Sequence, residues 1–143
     1  SHVVALHMKT RLPTLQEIDE LVSFQPRLSE EGFQPVTNWR GGNRGSDDAR
    51  TLPWPQYQAI VTEFFRIAAK ECWSDYDYRP DDAGCLLMDE ETVRSANLEQ
   101  IKTMLTFCVR GERFSDGHWA AMIEGGHIRR LLERLAELRS PCD

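Results

Sequence analysis

The chain has 143 residues and a net charge of −6; 41% of its residues are hydrophobic and 28% are charged. This composition is that of a globular protein rather than a disordered segment, and the length suits one domain with its own core. The sequence predicts no membrane segment, because no apolar run approaches the roughly 20 residues needed to span a bilayer. The short apolar stretch at residues 3–6 is also too brief for a secretory signal.

The N-terminal residues 1–7 are interpreted as a cloning scar or a disordered tail, because the chain opens with Ser1 and its first methionine is Met8. Neither a repeat nor a shift in composition divides the rest of the chain. Residues 8–143 are therefore predicted to form a single helical domain.

The four cysteines stand at long, irregular spacings: Cys72, Cys85, Cys108 and Cys142. No pair has the close spacing of a metal or redox motif, so the sequence predicts no metal site and no cofactor. A chain without a secretion signal and with enough core to dispense with bridges is expected to keep its thiols reduced. The predicted location is the cytoplasm.

The first predicted helix opens with a capping box, Thr14 with Glu17, and ends near Phe24, before Pro26. Residues 26–55 then indicate a long connection that contains a minor extended or β element around residues 33–40. The glycine-rich stretch 41–45 lacks the ending of a phosphate-binding loop and is predicted to be a mobile loop, where Arg40, Arg44 and Arg50 could meet an anion.

The second helix is predicted to start at Pro55, a favoured first-turn residue, and to run to about Cys72. Its apolar side chains share one arc of the helix. Glu71 falls within that arc, and a carboxylate on an apolar face is costly unless it is paired. We therefore expect Glu71 to have found a counter-group.

Further helices are predicted over residues 80–88, from an Asn97–Gln100 capping box to about Arg110, over residues 118–124, and through the leucine-rich C-terminal stretch from residue 128. Ser115 or Asp116 could cap the helix at 118. The fold class is therefore mainly α, a compact bundle of about five helices. The leucine face of the last helix favours core packing over a dimer seam, because it lasts less than two heptads.

The charge is unevenly distributed along the chain. Residues 71–91 carry eight acidic side chains against Arg79 alone, a local charge of −7. The absence of a basic stripe argues against a nucleic-acid partner, and the acidic surface favours a protein partner with a basic surface. The spacing of Asp75 and Asp77 suggests a calcium loop, but Arg79, Pro80 and Leu86 stand where that loop requires an oxygen ligand, a glycine and an acid.

A polar constellation occupies residues 110–119, R-G-E-R-F-S-D-G-H-W. His118 is the candidate general base, with Glu71, Glu112 or Asp116 as its orienting acid, since a nearby carboxylate can fix a histidine tautomer. Arg113 and Arg110 are candidate ligands for an anionic group, and Trp119 is a candidate apolar wall. A structural interpretation stays open: Asp116 as a helix cap, Glu112 in surface ion pairs, and any Glu71–His118 contact as a buried ion pair.

Three segments also carry a resemblance: E-C-W-S-D-Y-D-Y (71–78), the stretch 98–119 ending in R-G-E-R-F-S-D-G-H-W, and I-R-R-L-L-E-R-L-A-E-L (128–138). With them the chain resembles, from about Leu15 onward, a family of short bacterial proteins known as a domain of unknown function. The resemblance implies a bacterial source and a stand-alone domain. It implies no activity, cofactor or catalytic residue.

The sequence leaves the function unknown and leans away from an enzyme. The favoured hypothesis is a small non-enzymatic binding or regulatory module that uses a helical groove or the acidic 71–91 surface. The alternative is a small acid–base enzyme, similar to a hydrolase, centred on His118. A third hypothesis is a structural protein that dimerises through its last helix, and the predicted state is a monomer or a homodimer.

Overall fold

The computed structural model describes residues 11–40 and 54–139. The predicted tail at residues 1–7, the glycine-rich stretch 41–45, and Arg44, Arg50 and Cys142 lie outside these ranges.

The mainly α class is confirmed, with one small sheet beside the helices. The described residues contain more helices than the sequence suggested, because short ones occupy the connections. In chain order the elements are α1 (Leu15–Val22), α2 (Gln25–Leu28), β1 (Val36–Arg40), β2 (Trp54–Tyr57), α3 (Ala59–Ala68), α4 (Pro80–Met88), α5 (Glu90–Arg94), α6 (Leu98–Arg110), α7 (His118–Glu124) and α8 (His127–Arg139).

Both predicted capping boxes are present. The Thr14 hydroxyl accepts a hydrogen bond from the Glu17 N–H at 3.2 Å, and the Glu17 carboxylate accepts one from the Thr14 N–H at 2.9 Å. Asn97 and Gln100 make the same exchange at 2.8 and 2.9 Å. Each box satisfies two N–H groups that have no partner within their helix, so the starts of α1 and α6 are fixed locally.

The described parts of the predicted connection, residues 26–40 and 54–55, contain more regular secondary structure than predicted. Pro26 lies in the first turn of α2, and β1 pairs with β2 in an antiparallel hairpin. The predicted helix start at Pro55 is wrong, because Pro55 lies in β2 opposite Trp39 and the helix begins at Ala59. A proline is tolerated there because a two-stranded sheet consists of edge strands, which can do without one N–H donor.

Helix α3 ends at Ala68, four residues before the predicted end. The Ser74 hydroxyl donates to the carbonyls of Ala69, at 3.2 Å, and Lys70, at 3.0 Å, which satisfies acceptors left open at the end of the helix. Residues 71–73 form a 3₁₀ turn in which Glu71 is exposed. The prediction that Glu71 projects from an apolar helix face is therefore wrong.

The core is centred on α8, which packs against α1, α2, α5, α6 and α7. Its buried side chains are Ile128, Leu131, Leu132 and Leu135. Most of the predicted leucine face thus lies inside the domain, whereas Leu138 near the end of α8 is 39% exposed. None of the described helices is both long enough and apolar enough to cross a membrane.

Candidate functional site

The carboxylate of Glu112 organises the turn between α6 and α7. Its Oε1 accepts hydrogen bonds from the Tyr57 hydroxyl, at 2.9 Å, and from the backbone N–H of Trp119, at 2.8 Å. Its Oε2 accepts one from the N–H of Gly117 at 3.0 Å. Glu112 therefore caps the positive end of α7 and ties it to β2, through side-chain contacts that span 55 residues of sequence.

This arrangement corrects the predicted cap of α7. The N-cap residue is Gly117, not Ser115 or Asp116, and its φ of 90° lies in the left-handed region that glycine adopts without steric cost. Asp116 is exposed on the turn and is not the side chain that caps the helix. The acid that caps α7 stands five residues before its first N–H partner, outside the usual local pattern.

Trp119 joins the same turn to the core. Its indole N–H donates to the carbonyl of Val109 at 3.0 Å. Its ring stacks on Phe65, with centroids 4.5 Å apart and planes 3° apart, and lies 5.2 Å from the ring of Tyr57. The indole is therefore part of the packing between α3 and α7, with its polar atom satisfied, as is usual for buried tryptophan.

His118 packs on the inner side of the turn. Its imidazole meets the ring of Phe107 edge to face, with centroids 5.2 Å apart. The ring also lies so close to Gly111 that any β-carbon there would overlap it. The Nε2 atom is buried and has no hydrogen-bond partner in the part of the chain that the structure describes. Burial lowers the pKa of His118 from its ordinary 6.5, while the Phe107 backbone and the charge of Glu112 act in the opposite direction.

The four acid–base candidates do not converge. The charge of Glu112 acts on His118, but the carboxylate oxygens of Glu112 accept from Tyr57 and two backbone N–H groups. Glu71 is exposed and its charge acts on Arg11, so it is not a buried acid in need of a counter-group. The hypothesis that Glu71 must meet His118 in the interior is wrong.

The acidic segment after α3 folds back onto α6 through Asp75. Its Oδ2 accepts from the Thr103 hydroxyl at 2.7 Å, and its backbone N–H donates to the Thr106 hydroxyl at 2.8 Å. Its Oδ1 accepts from the N–H of Asp77 at 3.0 Å, a local bond typical of aspartate in turns. Asp75 is thus a structural acid that fixes the path of residues 75–78.

This turn brings two tyrosines to Arg110. The guanidinium carbon lies 5.6 Å from the ring centroid of Tyr76 and 5.5 Å from that of Tyr78, within the range of cation–π attraction. The two segments singled out in the sequence, 71–78 and 110–119, therefore do meet. They meet through Arg110 and the tyrosines rather than through Glu71 and His118.

A shallow groove of about 530 Å³ runs along one side of α4. We call it the α4 surface; it is lined by Pro80, Asp81, Gly84, Cys85, Met88, Asp89 and Phe107. Met88 is 55% exposed, and the acids that line the groove, Asp81 and Asp89, are exposed as well. Among the residues described, no three histidine, cysteine or acidic side chains are grouped so that they could hold a metal ion.

The chain belongs to a family of unknown function, DUF6508, which it matches over residues 13–141. No curated protein and no solved structure matches it. The resemblance to a family of unknown function is therefore confirmed, whereas the bacterial source that it implied stays a prediction.

The contribution of Tyr57 to this site was not predicted, because the sequence placed residue 57 in the helix predicted to start at Pro55, among its apolar side chains. The half-buried tyrosine packs its ring on Trp119 and donates its hydroxyl to Glu112. Its amphipathic character was the available signal, because a buried tyrosine hydroxyl usually needs a partner. The partner could not be found by spacing, since it lies in another element.

Replacement of Gly111 by alanine is predicted to destabilise the fold. The new methyl group would overlap the imidazole of His118, and overpacking of this kind costs about 1–3 kcal/mol. Gly84→Ala, inside α4, is the control, because its β-carbon would lie at an ordinary 3.4 Å from Phe107. Urea unfolding should show a loss for Gly111→Ala alone; equal stability of the two variants would contradict the packing of His118.

Glu112→Gln is predicted to lower the free energy of unfolding by about 1–3 kcal/mol. The amide NH₂ of glutamine would replace one carboxylate oxygen, and the N–H or O–H donor that binds this oxygen in the unmodified chain would lose its acceptor. The matched control is Glu133→Gln, which removes an exposed charge at 3.4 Å from Arg129 and should change stability by less than about 0.5 kcal/mol. Similar effects of the two substitutions in urea unfolding would show that Glu112 is not a cap.

Stability is predicted to fall as the pH falls from about 7.5 to about 5.5. Burial lowers the pKa of His118 and of His127 below 6.5, so the unfolded chain binds protons more readily than the folded one. The stabilisation is fully present at a pH well above 6.5, the pKa of histidine in the unfolded chain. It is lost as the pH falls towards the lower pKa values of the two histidines in the folded chain. Glu17 titrates below this window, because its pKa is lowered from 4.5 to about 2 by Arg11.

The pH effect is measured as the urea midpoint across that window. His118→Gln should give a shallower pH dependence than the unmodified chain, because it removes one of the two groups. A midpoint that rises on acidification, or a slope unchanged in the variant, would contradict the burial of a neutral imidazole.

Proposed function

We propose that the chain is a non-enzymatic binding module that captures a basic amphipathic segment of another protein on the α4 surface. The observation that carries the proposal is an exposed apolar groove flanked by acids that form no ion pair with any other described residue. A helix in such a groove is held by apolar anchors one turn apart, while its flanking cations meet the acidic rim.

The apolar floor of the α4 surface comes from two helices. Met88 and Cys85 are exposed on α4, and Phe107 from α6 lies between them and the core. Gly84 opens the groove, because it leaves Phe107 covered by no side chain at that point of α4. The exposed Met88 suits a binding surface, since its flexible thioether adapts to different side chains.

The acidic rim is left unneutralised. Asp81 and Asp82 are exposed in the first turn of α4 and form no ion pair with any residue in 11–40 or 54–139. By contrast, Glu90 and Glu91 at the start of α5 pair with Arg94. The acids beside the groove therefore keep their charge available for lysine or arginine on a partner.

The acid–base alternative centred on His118 has weaker support. Its one favourable observation is the buried Nε2 atom of His118 without a partner. The described clefts are lined by other residues, and the oxygens of Glu112 are engaged in capping. A general base has to reach a substrate proton, which a nitrogen buried against Gly111 does not offer.

The proposal includes a cytoplasmic location and a monomer in the absence of the partner. The three cysteines within the described ranges, Cys72, Cys85 and Cys108, are free thiols, as is usual in reducing compartments. The leucine face of α8 is occupied by the core, which supports a module that does not dimerise through it.

A labelled amphipathic peptide of leucine and lysine is predicted to bind the chain, while the same peptide with glutamate in place of lysine does not. Fluorescence anisotropy should give micromolar affinity that weakens as salt rises, because exposed charges are screened. Met88→Ser should weaken binding without any change of charge, and Asp81→Lys should weaken it further.

The control is Glu31→Lys, which changes the net charge as Asp81→Lys does but at an exposed position away from the α4 surface. Binding that falls equally in the two lysine variants would show general attraction to an acidic protein and would overturn the proposal. Failure of the lysine peptide to bind at low salt would do so as well.

A further inference from the structure

A second cleft, separate from the α4 surface, lies where the 75–78 turn meets the end of α6. We call it the Arg110 cleft; its volume is about 210 Å³, and it is lined by Ala68, Ala69, Ser74, Tyr76, Thr106, Val109, Arg110 and Arg113. Both arginines direct positive charge to it, and no acid is among its lining residues. We propose that this cleft binds an oxyanion group, a phosphate monoester or a carboxylate, carried on a small organic molecule.

The two guanidinium groups are not neutralised within the described ranges. Neither Arg110 nor Arg113 forms an ion pair there, although seven other arginines within those ranges do: Arg11, Arg66, Arg94, Arg129, Arg130, Arg134 and Arg139. Asp75, at the start of the turn that carries the two tyrosines, accepts hydrogen bonds from the Thr103 hydroxyl and from the N–H of Asp77. The cleft is thus a local positive site on an acidic protein.

Arg110 is held in place by its aromatic neighbours, and it donates no hydrogen bond to any residue in 11–40 or 54–139. Contact with the rings of Tyr76 and Tyr78 restrains the planar guanidinium, while its N–H groups lie in the plane and remain available for hydrogen bonds. Arginine in this state matches the two oxygens of a carboxylate or phosphate with paired hydrogen bonds. Preorganisation of this kind reduces the entropy lost when a ligand binds.

Arg113 reaches the same cleft because of Glu112. The Glu112 carboxylate is engaged in capping α7, while Arg113, the next residue of the 3₁₀ turn 111–113, lines the Arg110 cleft. Arg113 is exposed, and Phe114 next to it is 82% exposed. The capping interaction therefore fixes the position from which a second cation meets the ligand.

The volume of the Arg110 cleft suits the charged terminal group of a ligand rather than the whole of a large ligand. Pockets for drug-sized molecules usually measure about 300–1,000 Å³, which is more than this cleft offers. The ring of Tyr76 lines the cleft and is 45% exposed, so an aromatic or apolar group attached to the anion can pack on it. An aryl phosphate or aryl carboxylate should therefore bind more tightly than the bare anion.

The test is calorimetric titration of the full chain with inorganic phosphate, phenyl phosphate and benzoate at constant ionic strength. We expect saturable binding with phenyl phosphate or benzoate tighter than inorganic phosphate, and the better of the two identifies the natural type of oxyanion. Arg110→Gln and Arg113→Gln should each weaken binding about tenfold or more, since each removes a charged donor. Arg110→Lys, which keeps the charge but loses the planar pair of donors, should be intermediate.

Arg27→Gln is the control, because Arg27 is exposed on α2 and lies outside the Arg110 cleft. Arg113→Gln keeps the test decisive if loss of the stacked Arg110 disturbs the fold, which thermal unfolding would reveal. Absence of saturable binding for all three compounds at concentrations on the order of 10 mM would overturn the proposal. So would affinities that fall as much in Arg27→Gln as in Arg113→Gln.

Discussion

The structure depends on one carboxylate that holds three donors, two from the following turn and one from a distant strand. Glu112 accepts from Tyr57 in β2 and from two N–H groups at the start of α7. Helix α7 has no side-chain cap of its own, so this contact both starts the helix and joins the hairpin to the bundle. Such a buried acceptor is strongly stabilising only while all its donors are present, because each donor that loses its partner costs desolvation energy.

The parts of the fold that could be predicted are those encoded by neighbouring residues. The boxes at Thr14 and Asn97, and the α4 and α8 ranges, follow from short-range capping chemistry and helical periodicity. The range of α7 was predicted as well, but its cap was not. The end of α3 could not be predicted in this way, because Ser74 closes it from beyond the helix. The hairpin was missed for the same reason: its pairing is a property of two segments.

The candidate site could be predicted even less completely from neighbouring residues. Arg110 and Arg113 were identified from their residue types, but their tyrosine neighbours depend on how Asp75 docks on Thr103 and Thr106. The error over Glu71 came from extending a periodic pattern by one turn past the real end of the helix. The role of Gly111 could not be predicted either: its φ of −61° is ordinary, and the glycine makes room for an imidazole that only the folded chain brings beside it.

The packing of α1 on α8 bears on the order in which the molecule can assemble. These two helices are in direct contact, and the Arg139 guanidinium on α8 donates a hydrogen bond to the Asp19 carboxylate on α1 at 2.8 Å, although the two residues are 120 positions apart in the sequence. On the ribosome, α1 can contact α3 soon after both have emerged, but α8, which packs against it more extensively, follows only when nearly all of the described chain has been synthesised. Neighbours such as α4 and α6 are close in sequence and can associate earlier, since short loops close at lower entropic cost. Among the described elements, α1 is therefore the one whose main packing partner, α8, is synthesised latest after it. During that interval α1 is exposed to chaperones and proteases.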